Sequence, residues 1–238
     1  MKPHQFGDLS IEAVVENAGI AMPFAEFLPG VDAQMLLAEK AWLVPRFADT
    51  ALQNGILSFH SYLLRTPEHN ILIDTCMGND KERGGHAAFH QLRTPWLQNL
   101  AAAGLAPEQI DYVMCTHMHA DHIGWNTRLS EGRWVPTFPN ARYVFARREY
   151  DHRRAGWEAE PDAADSPFAD SVLPVIESGQ VLLVDDGYQL DRHLTIEAAP
   201  GHTPGNVVIQ VRSGEQHAVL SGDVVHHPMQ IPYPEHSA

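Results

Sequence analysis

Residues 10–16 (SIEAVVE) alternate between apolar and polar positions, the period of a strand that turns one face to a core. Residues 55–64 and 70–75 continue in that manner, and Pro67 between them predicts the turn of a β-hairpin. Thr94 and Pro95 predict an N-cap and first-turn pair for a helix through Trp96, Leu97, Leu100 and Ala103, which Gly104 ends. Residues 111–116 (DYVMCT) form a short apolar run of strand length that delivers the chain into His117. In residues 156–170, Glu158, Glu160, Pro161, Asp162, Asp165 and Pro167 fall close together and predict an acidic surface loop. Strand-like segments follow at 180–184, 194–198, 206–211 and 217–220, with turn signals between them. Strands dominate both halves, helices intervene, and residues 1–238 read as a single domain without internal repeats.

A hydrophobic content of 44% is ordinary for a globular protein and suffices for a real core. Charge changes the picture more. Sixteen basic against thirty acidic residues give a formal charge of -14, which repels phosphate backbones and anionic membrane surfaces. Neither nucleic acid nor a membrane is therefore an expected partner. Arg147, Arg148, Arg153 and Arg154 form a local basic stretch, read either as a solvated helix face or as a phosphate contact. Cys76 and Cys115 lie far apart, outside any paired-cysteine motif, and read as plain thiols. The first ten residues hold no apolar run of signal-peptide length, and no later stretch has the length of a bilayer span, so a cytoplasmic location is expected.

The fifteen histidines cluster. Residues 116–124 read THMHADHIG and place His117, His119, Asp121 and His122 within six residues just past a strand. Imidazole and carboxylate are ligands that zinc prefers. In an extended start, residues two apart face the same way, so His117 and His119 can converge on one ion. Asp121 and His122, on the turn that follows, are free to face a second. Downstream, APGHTPG at 199–205 holds His202 between glycines and prolines directly after a strand. Asp223 in Ser-Gly-Asp follows another apolar run, and its two oxygens suit a bridge between cations.

In these residues the chain resembles the metallo-β-lactamase superfamily, whose members show His-x-His-x-Asp-His after a strand, then a Gly-His turn, then an Asp after another strand. Asp74 in ILIDTCMG is similar to the family's early aspartate. The resemblance implies an α/β fold, an αββα four-layer sandwich of two sheets face to face with helices outside. It also implies two ions, zinc or another divalent metal. His117, His119 and His202 would hold one, Asp121 and His122 the other, with Asp223 bridging. Lactamases proper usually carry another residue where His122 stands, and diiron relatives an acidic one where His119 stands, which disfavours both. Residues 124–127 and 136–150 resemble the branch of lactonases and organophosphate hydrolases. Trp125, Trp134, Phe138 and Tyr143 there either line a pocket or pack in the core.

The family's final metal histidine lies several tens of residues past the bridging aspartate, whereas fifteen residues follow Asp223 here. The resemblance thus implies a domain incomplete at its C-terminal side, lacking a last strand and helix. His226, His227 and His236 stand in that tail, and His226 is the candidate for positioning a substrate oxygen. Between two cations, water becomes a nucleophile near neutral pH, with Asp121 or a nearby histidine to accept or return the proton. The expected activity is metal-dependent hydrolysis of a small-molecule ester or lactone. Glyoxalase-type thioester hydrolysis, phosphoester hydrolysis and a catalytically silent metal-binding module are the alternatives, and a homodimer is an allowed assembly.

Overall fold

The computed structural model describes residues 3–85, 87–161 and 166–236. Its largest unit is a seven-stranded sheet, in the order β1 (His4–Phe6), β2 (Leu9–Pro23), β3 (Asn54–Arg65), β4 (Asn70–Ile73), β5 (Tyr112–Met114), β8 (Arg142–Ala146) and β9 (Val181–Val184). Strands β1 to β4 are antiparallel. From β4 to β9 the pairing is parallel, so β4, β5 and β8 all end at one edge of the sheet. A second sheet of β10 (Leu194–Ala198), β11 (Val207–Ser213) and β12 (Gln216–Leu220) is antiparallel. A small ribbon of β6 (Thr127–Ser130) and β7 (Arg133–Pro136) stands apart from both.

Alternation along the strands explains the layers, because successive side chains enter opposite faces. Leu64, Ile71, Ile73, Met114 and Val144 turn to the second sheet and meet Leu194, Ile196, Ile209 and Val211. Leu63, Leu72, Val113, Tyr143 and Phe145 turn the other way and pack against helices. Those helices include α3 (Trp96–Ala102), α5 (Arg147–Ala159), α6 (Pro167–Ser171) and α7 (Leu173–Glu177). A third cluster forms around α1 (Phe24–Phe27) and α2 (Ala33–Leu43), where Phe24, Leu36 and Leu43 pack with Met229. Helix α4 (Ala120–Ile123) is a single turn shortly after β5.

The hairpin expected around Pro67 is β3–β4, closed by a Thr66 N–H to His69 carbonyl bond of 2.9 Å. The helix after Pro95 also forms, but Thr94 does not cap it. Its N–H donates to Asn79 Oδ1 at 2.7 Å and its hydroxyl donates to the same oxygen at 3.2 Å, so a long-range partner displaces the local capping role.

The acidic loop expected over 156–170 is shorter than predicted. Helix α5 runs on through Ala159 and α6 begins at Pro167, while Asp162 and Asp165 lie outside the described residues. Asp170 is buried rather than solvated. Arg83 meets it at 2.7 Å and Lys81 at 3.5 Å. Lys81 is fully buried, with its ammonium 3.6 Å from the centre of the Trp134 ring, and burial pushes it down to about 7.

Three of the four aromatic residues resolve toward packing, while Trp134 is half-buried beneath the Lys81 ammonium. Trp125, Phe138 and Tyr143 are buried in the helix-side core, and Trp96 stacks on Trp125 with ring centres 5.4 Å apart. Cys76 and Cys115 are free, buried thiols that burial pushes up and leaves protonated. Three of the four arginines of α5 pair locally: Arg153 with Glu149, Arg154 with Glu158, and Arg147 with Asp185. No helix among the described residues is long and apolar enough to cross a membrane.

Candidate metal centre

Parallel strands with a common end put their following residues side by side, and ligands of such sheets gather at the carboxyl ends. Here Asp74 follows β4, His117 follows β5, and α5 follows β8. From the second sheet, β10 leads to His202 and β12 to Asp223. The sheets are joined at this edge by a 2.9 Å bond from the Val207 N–H to the Thr116 carbonyl. Thr116 also approaches Gly222 so closely that a Cβ there would lie 2.5 Å from its hydroxyl oxygen.

Four donor groups converge on one point. His117 Nε2 lies 3.0 Å from His119 Nδ1, which lies 2.8 Å from His202 Nε2. Asp223 Oδ2 completes the set at 3.5 Å from His202 Nε2 and 3.8 Å from His117 Nε2. The other oxygen of Asp223 faces a second group, with Oδ1 3.2 Å from His122 Nε2 and Asp121 Oδ2 3.5 Å from that same nitrogen. Within each group the ligand atoms lie within 4.8 Å of one another. Asp223 therefore presents one oxygen to each.

Electrostatics agree with a cation-binding role. Burial, together with the charge on His122, holds His117 far below the usual imidazole range. Burial and the Arg153 guanidinium push His119 down to about 4. Burial also lowers His202. All three rings are thus neutral at pH 7 and offer lone pairs, the form in which histidine ligates metals. Burial would lower His122 as well, but Asp121 and Asp74 outweigh it and raise the ring well above its ordinary value. Burial would raise Asp223, yet hydrogen bonds from His122 and His226 hold it well below the carboxylate range. Neutral imidazoles beside carboxylates are a donor set that fits divalent zinc, manganese, iron or cobalt.

A supporting layer orients these groups. Asp74 accepts from His122 Nδ1 at 2.9 Å and from the Thr116 N–H and hydroxyl at 2.8 Å each, which directs His122 Nε2 toward Asp223. Asp74 itself sits at φ 56°, in the left-handed region that turns the chain out of β4. Glu16 is buried and accepts from the N–H groups of Met77 and Gly78 and from Trp125 Nε1 at 2.7 Å. Gly124 admits this approach, since a Cβ there would stand 1.8 Å from the Met77 carbonyl oxygen.

The six residues expected as ligands are all brought together, and Asp74 stands behind them. Of the tail histidines, only His226 reaches the cluster, where its Nε2 lies 3.2 Å from Asp223 Oδ2 and its ring edges onto His202. His227 is buried among Phe24, Phe27 and Phe47 and bonds the Phe47 carbonyl. His236 packs at Gly30. Sequence reading missed Thr116, Glu16 and Glu149, which carry no local signature because their partners are distant in the chain.

The sequence profile of the Metallo-beta-lactamase superfamily matches residues 57–237. The N-acyl homoserine lactonase AttM of Azorhizobium caulinodans is 34% identical over 116 residues, covering 47% of this chain and 39% of that protein. An N-acyl homoserine lactonase of Bacillus cereus is 24% identical over 170 residues, covering 67% of this chain and 60% of its own length. The chain therefore matches less than two thirds of the length of these curated relatives. Among solved structures, AidC, a dizinc quorum-quenching lactonase in complex with a product, N-hexnoyl-L-homoserine, superposes with a TM-score of 0.73. Identity there is 25%, over 98% of this chain and 78% of that one.

Proposed function

Since this chain belongs to the metallo-β-lactamase superfamily, we propose that it is a metal-dependent hydrolase of a small ester or lactone. The observation that carries this reading is Asp223, with Oδ2 toward His117, His119 and His202 and Oδ1 toward Asp121 and His122. His117, His119, His202 and Asp223 are the proposed ligands of one ion, and Asp121, His122 and Asp223 of the other, with zinc the preferred metal. Two such cations, when bound, supply Lewis acidity at a carbonyl oxygen and bring water toward ionisation near neutral pH.

The chain's own residues do the rest. Asp74 holds the His122 ring by its Nδ1, so that ring does not swing away from Asp223. Burial would raise Asp121, but His122 outweighs it and keeps the carboxylate anionic, able to accept the proton of an attacking water and return it to the leaving alkoxide. His226 stands at the rim, with 22% of its side chain exposed, and is proposed to orient a substrate oxygen beside Asp223. The preference for a lactone or ester rests on the lactonase relatives. A single domain over residues 1–238, a cytoplasmic location and a homodimer complete this reading.

The test is metal content by elemental analysis on protein purified without chelator, with an aryl ester and a lactone assayed on the same sample. Near two ions per chain are expected, with turnover that disappears in His119→Ala. One ion without turnover of either compound would sink the reading and leave a silent metal-binding module, and no ion at all would sink both.

A further inference from the structure

Glu149 stands in the first turn of α5, and only 2% of its side chain is exposed. A carboxylate so placed needs hydrogen-bond donors on every side, and it has four. Its Oε1 accepts from the Met118 N–H at 3.0 Å and from Arg153 Nε at 3.0 Å. Its Oε2 accepts from the Thr203 hydroxyl at 2.7 Å and from the Gly205 N–H at 3.2 Å. Met118 lies between His117 and His119, while Thr203 follows His202. One carboxylate thus joins two loops that meet at a His119–His202 contact of 2.8 Å, although those histidines are 83 positions apart in sequence.

The backbone is shaped for this contact. A Cβ at residue 205 would lie 2.1 Å from the Glu149 nitrogen, so glycine lets the His202 loop rest directly on the start of α5. Burial would raise the Glu149 carboxyl, but the bonds from Thr203, Met118 and Arg153 outweigh it and keep the group ionised. An ionised carboxylate accepts at both oxygens, and each oxygen serves a different loop.

We propose that Glu149 is a positioning residue that sets the separation of His119 and His202, and thereby the affinity of the His117, His119, His202 and Asp223 group for its ion. This rests on the metal-centre reading above. Glutamine at this position would keep the shape but turn an NH2 group toward the N–H or O–H donors of one loop, releasing that loop alone.

The test is a Co2+ titration of the whole chain followed by visible absorption, with thermal melts of the same samples. In Glu149→Gln one binding step is expected to weaken by about 10–100-fold, the usual cost of losing a group that orients ligands, while the other step stays within about threefold. Thr203→Val, which removes one donor from the His202 loop, should weaken that same step by about fivefold. Two unchanged steps in both variants, or two steps that fall together with the melting temperature, would overturn the proposal in favour of a purely structural role. If Glu149→Gln does not fold, Thr203→Val decides by the same criterion. A wild-type chain that gives no cobalt absorption would overturn the metal-centre reading and this proposal together. A wild-type chain with two steps and unaltered variants would overturn this proposal alone.

Discussion

Asp223→Ala is expected to empty both metal positions at once and to lower ester or lactone hydrolysis by more than about 100-fold, beyond the usual cost of losing a merely supporting residue. The expectation follows from the split of its oxygens, one at 3.2 Å from His122 and the other at 3.5 Å from His202. Without that carboxylate, the first group is left with imidazoles alone and the second with Asp121 as its one anion. Each ion would then lose a ligand and a neutralising charge together. Elemental analysis of the purified variant gives the first readout and steady-state hydrolysis the second. Retention of two ions, with activity within tenfold of the parent, would show that Asp223 is not the shared ligand.

Trp96→Ala is expected to cost about 3–5 kcal/mol of folding stability, the range for truncating a large buried aromatic. Trp96 is fully buried, stacks on Trp125, sets its edge against Phe138, and donates its indole N–H to the Val14 carbonyl at 3.2 Å. Its loss would open a cavity between α3 and the seven-stranded sheet and remove the indole bond to that carbonyl. Trp125 follows Gly124 directly, so the disturbance reaches the turn that carries His122. Leu37→Ser is the control, because Leu37 is 61% exposed and its substitution should stay within about 0.5 kcal/mol. Equal losses for the two variants in urea unfolding would contradict the packing assigned to Trp96.

How legible these features are in the chain depends on the distance over which their causes act. The motif from His117 to His122 is a local spacing, and the turns around His202 and Asp223 are short glycine-containing segments after strands. Period and turn chemistry suffice for all three. Thr94 shows the limit, since its local pattern is that of a cap, yet Asn79, fifteen positions earlier, takes both its N–H and its hydroxyl. Asp170 reads as part of an acidic loop, but the cations that bury it come from Lys81 and Arg83 on another segment. Glu149 reads as one more charge on a polar helix, and nothing near it in sequence points to Met118 or Thr203. The aromatic residues stay ambiguous in sequence because a pocket wall and a core ask for the same side chains. Which of the tail histidines reaches the centre is equally a matter of tertiary placement, and only His226 does so.

The loop after β4 and the turn after α4 are stitched by three main-chain bonds: Thr75 N–H to the His122 carbonyl at 2.7 Å, Gly124 N–H to Cys76 at 2.7 Å, and Trp125 N–H to Thr75 at 2.8 Å. They lie outside any strand, yet the residues around them are buried. In deuterated water these three amides should retain their protons about as long as those of the central strands, since local opening would have to break the core that surrounds them. The part of the molecule that carries its chemistry would then be among the slowest to breathe, and adaptation to new substrates would fall to the rim around His226 rather than to the floor beneath it.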